Sequence, residues 1–268
     1  MQLRYLFVCS GCDCHIFDDE FNYKFYFNSN FVRNYLSRAI RRHHYFTDGT
    51  YKMIGVELDL ASNPHNWRNN RPQIKYDIND SLMVIVPIDK TEFDQYNNET
   101  ILTNRYEFYL SVLERGYHLI NDNFKKIPID LLLSVHDEFR SNNYKNEWLL
   151  KRLKTKEYGL IIELKCFYTT FDFRCVLTAF DYHTNEIVAE DYIYLTGPDE
   201  DFYDYVIKSA KIEGDKLIVY GFFETKSFII DLPSLAKGHL QVQYRYVDVL
   251  NEYYQRDNHI DLIKRITW

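Results

Sequence analysis

The chain has 268 residues and a formal net charge of −7, with 46% hydrophobic and 17% aromatic residues. A chain of this size and composition buries a core without metals or disulfides, which excludes wholesale disorder. Its 9 glycines and 6 prolines argue against glycine-rich nucleotide loops and proline-rich linkers. The acidic excess lies entirely in residues 155–268, because the first 154 residues carry equal numbers of acidic and basic side chains. Since phosphate binding needs lysine and arginine, this layout argues against nucleic acid and favours a basic protein partner.

The first third of the chain predicts a mixture of strands and one helix. Alternating or continuously apolar segments predict strands at 2–9, 21–28, 51–60 and 81–88. In residues 30–45, apolar side chains recur at helical spacing with arginines on the other sides, which predicts an amphipathic helix. The asparagine-rich segment 61–70 contains Pro64 and predicts a loop.

Two further amphipathic helices are predicted in the middle of the chain. Apolar residues from Leu102 to Ile120 step by three or four positions and form one stripe of a helix over 99–120. Pro128 suits a first helical turn, and the stripe that follows it predicts a second helix over 129–139.

The hydrophobic period changes to two from about residue 157. Strands are predicted at 159–168, 172–181, 187–195, 204–212, 216–223 and 226–232. Short polar turns separate them, which predicts a mainly antiparallel β-meander of about five or six strands, and the tail 246–266 has the spacing of a C-terminal helix. The predicted fold is therefore α+β, with a mixed strand and helix domain at 1–153 and an antiparallel β domain at 154–268.

The five cysteines do not form a spaced disulfide framework, which favours a reducing compartment. The apolar run before Cys9 is too short for a secretory signal, and no apolar segment is long enough to span a membrane, so we expect a cytoplasmic protein. Cys9, Cys12, Cys14 and His15 are the best candidates for a zinc site. Structural zinc usually takes two well-separated ligand pairs, so we expect partly buried thiols, with no metal and no cofactor.

Other chemistry-bearing groups lack a recognisable catalytic pattern. The run 41–44 is basic, and it suits the C-terminal end of a helix. His136, Asp137 and Glu138 lie on a predicted helix, where acid–base chemistry would need a third group from elsewhere. Phosphate-loop, dinucleotide, zinc-protease and nucleophile-elbow motifs do not occur. A hydrolase-like site built from scattered residues remains an alternative.

The most unusual stretch is 181–204, which interleaves acidic and aromatic residues and contains no lysine or arginine. Its eight acidic residues repel one another and favour contact with a basic partner. The alternatives are solvated acidic turns, or a cation site at Asp199, Asp201 and Asp204, although the full calcium-loop pattern does not occur. The candidate partner-binding residues are Asp181, Glu186, Glu190, Asp191, Tyr192, Tyr194, Asp199, Glu200, Asp201, Tyr203 and Asp204.

A family resemblance covers roughly residues 50–235. It is carried by the strand and acidic helix at 81–96 and by the segments 106–116, 129–133, 139–148, 215–223 and 228–232. This order resembles small bacterial proteins that are encoded beside polymorphic toxins and are thought to act as their immunity proteins. The resemblance implies a stoichiometric inhibitor of one toxin domain, and it carries over no catalytic or binding residue.

The sequence therefore favours an immunity protein that binds and neutralises a cognate toxin domain, which we expect to be basic. We expect neither nucleic acid nor a membrane among its partners. A scattered-site enzyme and a non-catalytic module that dimerises through an exposed strand are the two alternatives.

Overall fold

A computed structural model describes residues 1–10, 19–60, 74–77, 80–221 and 224–245. The chain divides into two compact units, Met1–Lys145 and Asn146–Trp268. The first unit combines helices with a mostly parallel sheet, and the second consists mainly of antiparallel sheets. The α+β class predicted from the sequence is confirmed.

The first unit is built on a four-stranded sheet. Its strands are β1 (Tyr5–Ser10), β2 (Met53–Leu60), β3 (Ile74–Asp77) and β4 (Ser81–Ile88), in the order β1-β2-β4-β3. Strands β1, β2 and β4 run parallel, and β3 is antiparallel to β4. Parallel strands need a buried environment, which explains why β4 is a continuous apolar run with nearly every residue buried.

The helices of this unit are α1 (Asp19–Arg42), α2 (Lys90–Asn98), α3 (Leu102–Asn123) and α4 (Ile129–Ser141). Their apolar stripes join side chains of β1, β2 and β4 in one core. Helix α2 begins with a capping box, in which Asp89 accepts from the backbone N–H of Glu92 and the Glu92 carboxylate accepts from that of Asp89. The helices predicted over 99–120 and 129–139 correspond to α3 and α4.

The predicted strand at 21–28 is wrong, because these residues belong to α1. Phe25, Phe31 and Tyr35 are buried on the core side of that helix, so the aromatic run follows helical spacing rather than alternation. Helix α1 also closes the open edge of β1. The Ser37 hydroxyl accepts from the backbone N–H of Leu6 at 3.1 Å and donates to its carbonyl at 3.2 Å.

The second unit contains two four-stranded antiparallel sheets. The first consists of β5 (Asn146–Thr155), β6 (Leu160–Tyr168), β7 (Phe173–Asp181) and β8 (Ile187–Thr196). The second consists of β9 (Ser209–Glu213), β10 (Lys216–Tyr220), β11 (Lys226–Asp231) and β12 (Val242–Tyr244). The short helices α5 (Glu200–Asp204) and α6 (Leu232–Leu235) precede β9 and β12. Side chains from both sheets form one shared core, as in a β-sandwich.

Three details of the predicted β region differ from the structure. The single meander of five or six strands is instead two meanders of four strands each, because the chain passes from one sheet to the other between β8 and β9. The predicted strand 204–212 begins only at Ser209, and Glu200–Asp204 is helical. The predicted boundary between 153 and 154 falls inside β5. The predicted loop 61–70 and tail helix 246–266 lie outside the described residues.

Across the described part of the chain, every helix is too short or too polar to cross a membrane.

Candidate protein-interaction surface on the β7–β8 hairpin

The predicted partner-binding residues fall into two environments. On the β7–β8 hairpin, Glu186, Glu190, Asp191 and Tyr192 are exposed and Asp181 is half-buried. After β8 the chain enters α5, and side chains there pack into the core shared by the two sheets. The side chain of Asp201 lies outside the description. The structure therefore brings only the first half of the predicted stretch together on one exposed surface.

Two of the predicted contact residues belong to the interior. Tyr203 is buried, and its ring stacks on Phe173 with centroids 3.9 Å apart and planes only 10° from parallel. Asp199 is also buried. Neither side chain can reach a partner without local unfolding, so both predictions are corrected. Tyr203 is buried because α5 directs this side chain into the core of the second unit.

The remaining predicted residues are only partly available. Tyr194 is half-buried against the core, 5.6 Å from the ring of Phe228, and burial raises the pKa of its hydroxyl. Glu200 is half-buried. Asp204 is exposed, but its carboxylate lies 2.7 Å from the Lys208 ammonium, which neutralises its charge locally.

Two β-bulges decide which side chains of β8 face outward. The register of β7 with β8 shifts between Cys175 and Val176 and again between Ala179 and Phe180. Directly opposed residues of an antiparallel pair share a face, so β8 residues opposite the outward residues of β7 also point outward. These are Leu195, Tyr192, Glu190 and Ile187, which lie opposite Arg174, Val176, Thr178 and Phe180 respectively. The bulges thus place residues spaced by three, two and three positions on one face.

Four acidic residues give the β7–β8 hairpin its negative charge. We call Asp181, Glu186, Glu190 and Asp191 the hairpin acids. Within the described residues, no lysine or arginine lies within 4.0 Å of their carboxylates. Elsewhere in the second unit, carboxylates do have such partners, as in the pair of Asp231 with Lys216 at 2.5 Å. The hairpin is therefore a locally unneutralised negative region.

Neutral donors hold several of these carboxylates in place. Backbone N–H groups of Thr184 and His183 donate to Asp181 Oδ1, each at 2.8 Å, and these bonds lower the pKa of Asp181. Thr178 Oγ1 donates to Glu190 Oε2 at 2.7 Å. These hydrogen bonds orient the carboxylates but do not neutralise them, so the negative charges remain available to a positively charged partner.

A second polar cluster lies between α3 and α4 in the first unit. The His136 ring has no exposed surface, its Nδ1 lies 3.1 Å from Glu114 Oε1, and its Nε2 lies 3.5 Å from the Tyr117 hydroxyl. Arg140 Nη2 donates to Glu114 at 3.0 Å and to Glu107 at 3.0 Å. The hydrogen bond from His136, followed by that from Arg140, lowers the pKa of Glu114. The sequence placed His136 on a helix, and only the packing of α3 on α4 identified Glu114 as its partner.

The cluster resembles an acid–base dyad in composition, but its burial argues for a structural role. A general base must be within hydrogen-bond reach of a substrate proton. The ring nitrogens of His136 already face Glu114 and Tyr117, and water does not reach them. His136 and Arg140 of α4 instead both bind Glu114 of α3, which joins the two helices.

The other sequence candidates also have structural surroundings. Arg41 and Arg42 form the last turn of α1, and Arg42 pairs with Glu138 on α4. Cys9 is half-buried, while Cys12, Cys14 and His15 lie outside the described residues. No group of three or more metal-ligating side chains occurs in the ranges that the structure describes.

Comparisons with known proteins assign no family. No family model matches the chain, and no curated protein or solved structure is similar enough to count as a match.

Proposed function

We propose that this protein acts by stoichiometric protein binding, as an immunity protein that neutralises a basic toxin domain. The observation that carries the proposal is the set of hairpin acids, whose carboxylates lack a cationic partner among the described residues while an exposed apolar surface lies beside them. Like charges held close together without counter-ions cost stability in the free protein. A basic partner would relieve that repulsion on binding, which gives the arrangement a use.

The same arrangement would accelerate recognition. Unneutralised surface charge steers an oppositely charged protein into the encounter complex and makes association depend on ionic strength. A toxin that acts on nucleic acid needs a basic surface of its own. An acidic inhibitor surface would both attract such a toxin and cover the site that binds phosphate.

The two alternatives have less structural support. A hydrolase-like role would need an acid–base pair that a substrate can reach, whereas His136 has no exposed surface. Dimerisation through β8, the edge strand that carries Glu190 and Asp191, would need a regular edge, whereas this strand contains two bulges. Neither observation excludes partner binding through side chains.

The test uses a toxin domain encoded next to this gene. Cells that express the domain alone should stop growing, and co-expression of this protein should restore growth. Calorimetric titration of the two purified proteins should give one site per toxin. In a separate kinetic measurement, the association rate constant should fall as the salt concentration rises. A toxin that remains active in the presence of excess protein, with no heat of binding, would refute the proposal.

A further inference from the structure

We propose that the basic partner docks on the outer face of the β5–β8 sheet, with Tyr192 as its central apolar anchor. The inference rests on the proposed function and assigns it a surface. The outer face is the side of this sheet that points away from the core shared with β9–β12. Its four most exposed apolar side chains are Leu149 (51% exposed), Ile187 (60%), Tyr192 (52%) and Leu195 (61%).

Strand register shows that these side chains share one face. Tyr192 lies opposite Val176, Val176 opposite Lys165, and Lys165 opposite Leu149, so one row crosses all four strands. Opposed residues of antiparallel strands point the same way. The neighbouring row contains Leu195, Arg174, Phe167 and Glu147. In the second row Arg174 separates Leu195 from Phe167, and the cationic groups of Lys165 and Arg174 lie over the Phe167 ring. The apolar strip of the outer face therefore consists of Tyr192, Leu195 and half-buried Val176, on its β7–β8 side.

Charge complementarity favours a basic occupant. The cations on the inner strands of this sheet already have acidic partners: Lys165 lies 2.9 Å from Glu147, and Arg174 Nε lies 3.3 Å from Asp172 without hydrogen-bond alignment. Among the described residues the hairpin acids have no such partner, and Glu190 lies in the row next to Tyr192, so the β8 side of the face is negative, whereas Arg152 and Lys154 lie at its β5 side. Lysine and arginine side chains also lay their aliphatic stems on apolar surface, which suits a strip bordered by carboxylates.

The size of the face indicates how far the contact must extend. Four strands about 4.8 Å apart, with about six residues of β7 at about 3.3 Å each, cover roughly 300 Å² of projected area. A stable interface takes about 800 Å² from each partner. The contact must therefore continue past β8 onto the turn that carries Asp181 and Glu186. Tyr192 then lies near the middle of the interface, between Leu195 and the hairpin acid Glu190 along β8.

A second copy of the chain is the competing occupant, because β5 carries Lys151, Arg152 and Lys154 and β8 carries Glu190 and Asp191. Joining β5 of one copy to β8 of another would require a regular backbone ladder. Both bulges interrupt the ladder of β8, which is a known protection against edge-to-edge pairing. The geometry therefore favours a different protein that contacts side chains.

The decisive experiment compares two exposed tyrosines of the second unit by binding kinetics with the neighbouring toxin domain. Tyr192→Ala should raise Kd about 30-fold through faster dissociation, since central aromatic anchors dominate interface energetics. Tyr205 is 49% exposed and lies outside the face, so Tyr205→Ala should stay within about twofold of wild type. Both variants should melt within about 2 °C of wild type, because each side chain is half exposed.

A charge variant tests the electrostatic part separately. Reversal of Glu186 and Glu190 to lysine should slow association about tenfold at low salt and flatten its salt dependence. Glu224→Lys, at an exposed position in the turn before β11, is the matched control and should change neither.

The outcomes separate this inference from the function on which it rests. If wild type neutralises the toxin and Tyr192→Ala binds it equally well, the docking face is wrong and the proposed function stands. If wild type does not bind the toxin, the proposed function fails. A dimer of the protein alone that Tyr192→Ala dissociates would make the second copy the occupant and would overturn the inference.

Discussion

Replacing Gly116 by alanine should destabilise the first unit, although alanine is the better helix former. Gly116 lies on α3, where the helix packs against β2 and β4. A Cβ atom at this position would meet Val56 Cγ2 at 2.4 Å and Val84 Cγ1 at 3.1 Å. Ordinary carbon contacts lie at about 3.5–4.0 Å, so the helix or the valine must move by roughly 1 Å.

Two opposing effects set the size of the change. Alanine in place of glycine in a helix interior contributes about 1 kcal/mol of stability. Overpacking a buried contact costs about 1–3 kcal/mol, and the upper end applies because Val56 is fully buried and β-branched valines have few alternative rotamers. We therefore expect Gly116→Ala to lower the free energy of unfolding by about 1–2 kcal/mol.

Urea unfolding followed by helical circular dichroism measures this change, and two controls isolate its cause. His118 is exposed on the same helix, so comparing His118→Gly with His118→Ala gives the helix-propensity effect alone. Val56→Ala removes the clashing methyl groups, so adding Gly116→Ala to that variant should cost about 1 kcal/mol less than in wild type. If Gly116→Ala is as stable as wild type or more so, the close packing of α3 on the sheet is refuted.

Three further results are expected. Asp89→Ala should remove the capping box of α2 and cost about 1 kcal/mol in urea unfolding, and an unchanged midpoint would contradict that cap. Because the folded protein lowers the pKa of Glu114, this carboxylate stabilises the fold above its ordinary pKa of 4.5, and the contribution is lost as the pH falls through the lower folded value. The stability gap between wild type and Glu114→Gln should therefore shrink below pH 4.5, and a gap that widens there would contradict the sign. Cys166 and Cys175 are buried opposite each other, and their mutual hydrogen bond, with burial, raises the pKa of Cys175. Peptide mapping after iodoacetamide treatment should find both unmodified until the protein is denatured, so rapid native labelling would refute their burial.

Local patterns determined much of the secondary structure. The stripe from Tyr106 to Ile120 predicts α3 because side chains three and four residues apart share a helix face whatever the rest of the chain does. Strands β2, β4, β6 and β7 were predictable for a similar reason, since each presents at least one regular apolar face to a core. The first half of α1 was wrongly predicted as a strand, because the closely spaced aromatic residues of 21–28 resemble the alternating pattern of a strand.

Strand β5 shows why charge-rich edge strands escape prediction. Lys151, Arg152 and Lys154 make the segment look like a linker, yet it pairs with β6 from end to end. At a sheet edge only part of the strand is buried, so polar residues are tolerated and the apolar signal weakens. Its pairing comes from the backbone ladder and from the partner strand, neither of which is visible in a local window.

For the candidate surface too, the sequence determined some properties and the tertiary structure determined others. The sequence by itself determined that 181–204 is acidic, aromatic and free of lysine and arginine, because these are properties of composition. Only the tertiary structure decided that Tyr192 is exposed on the outer face while Tyr203 stacks on Phe173 in the core. The physical reason is that bulges and the passage between sheets reset which side of the chain faces inward. An alternating pattern carries no record of such shifts until strands pair.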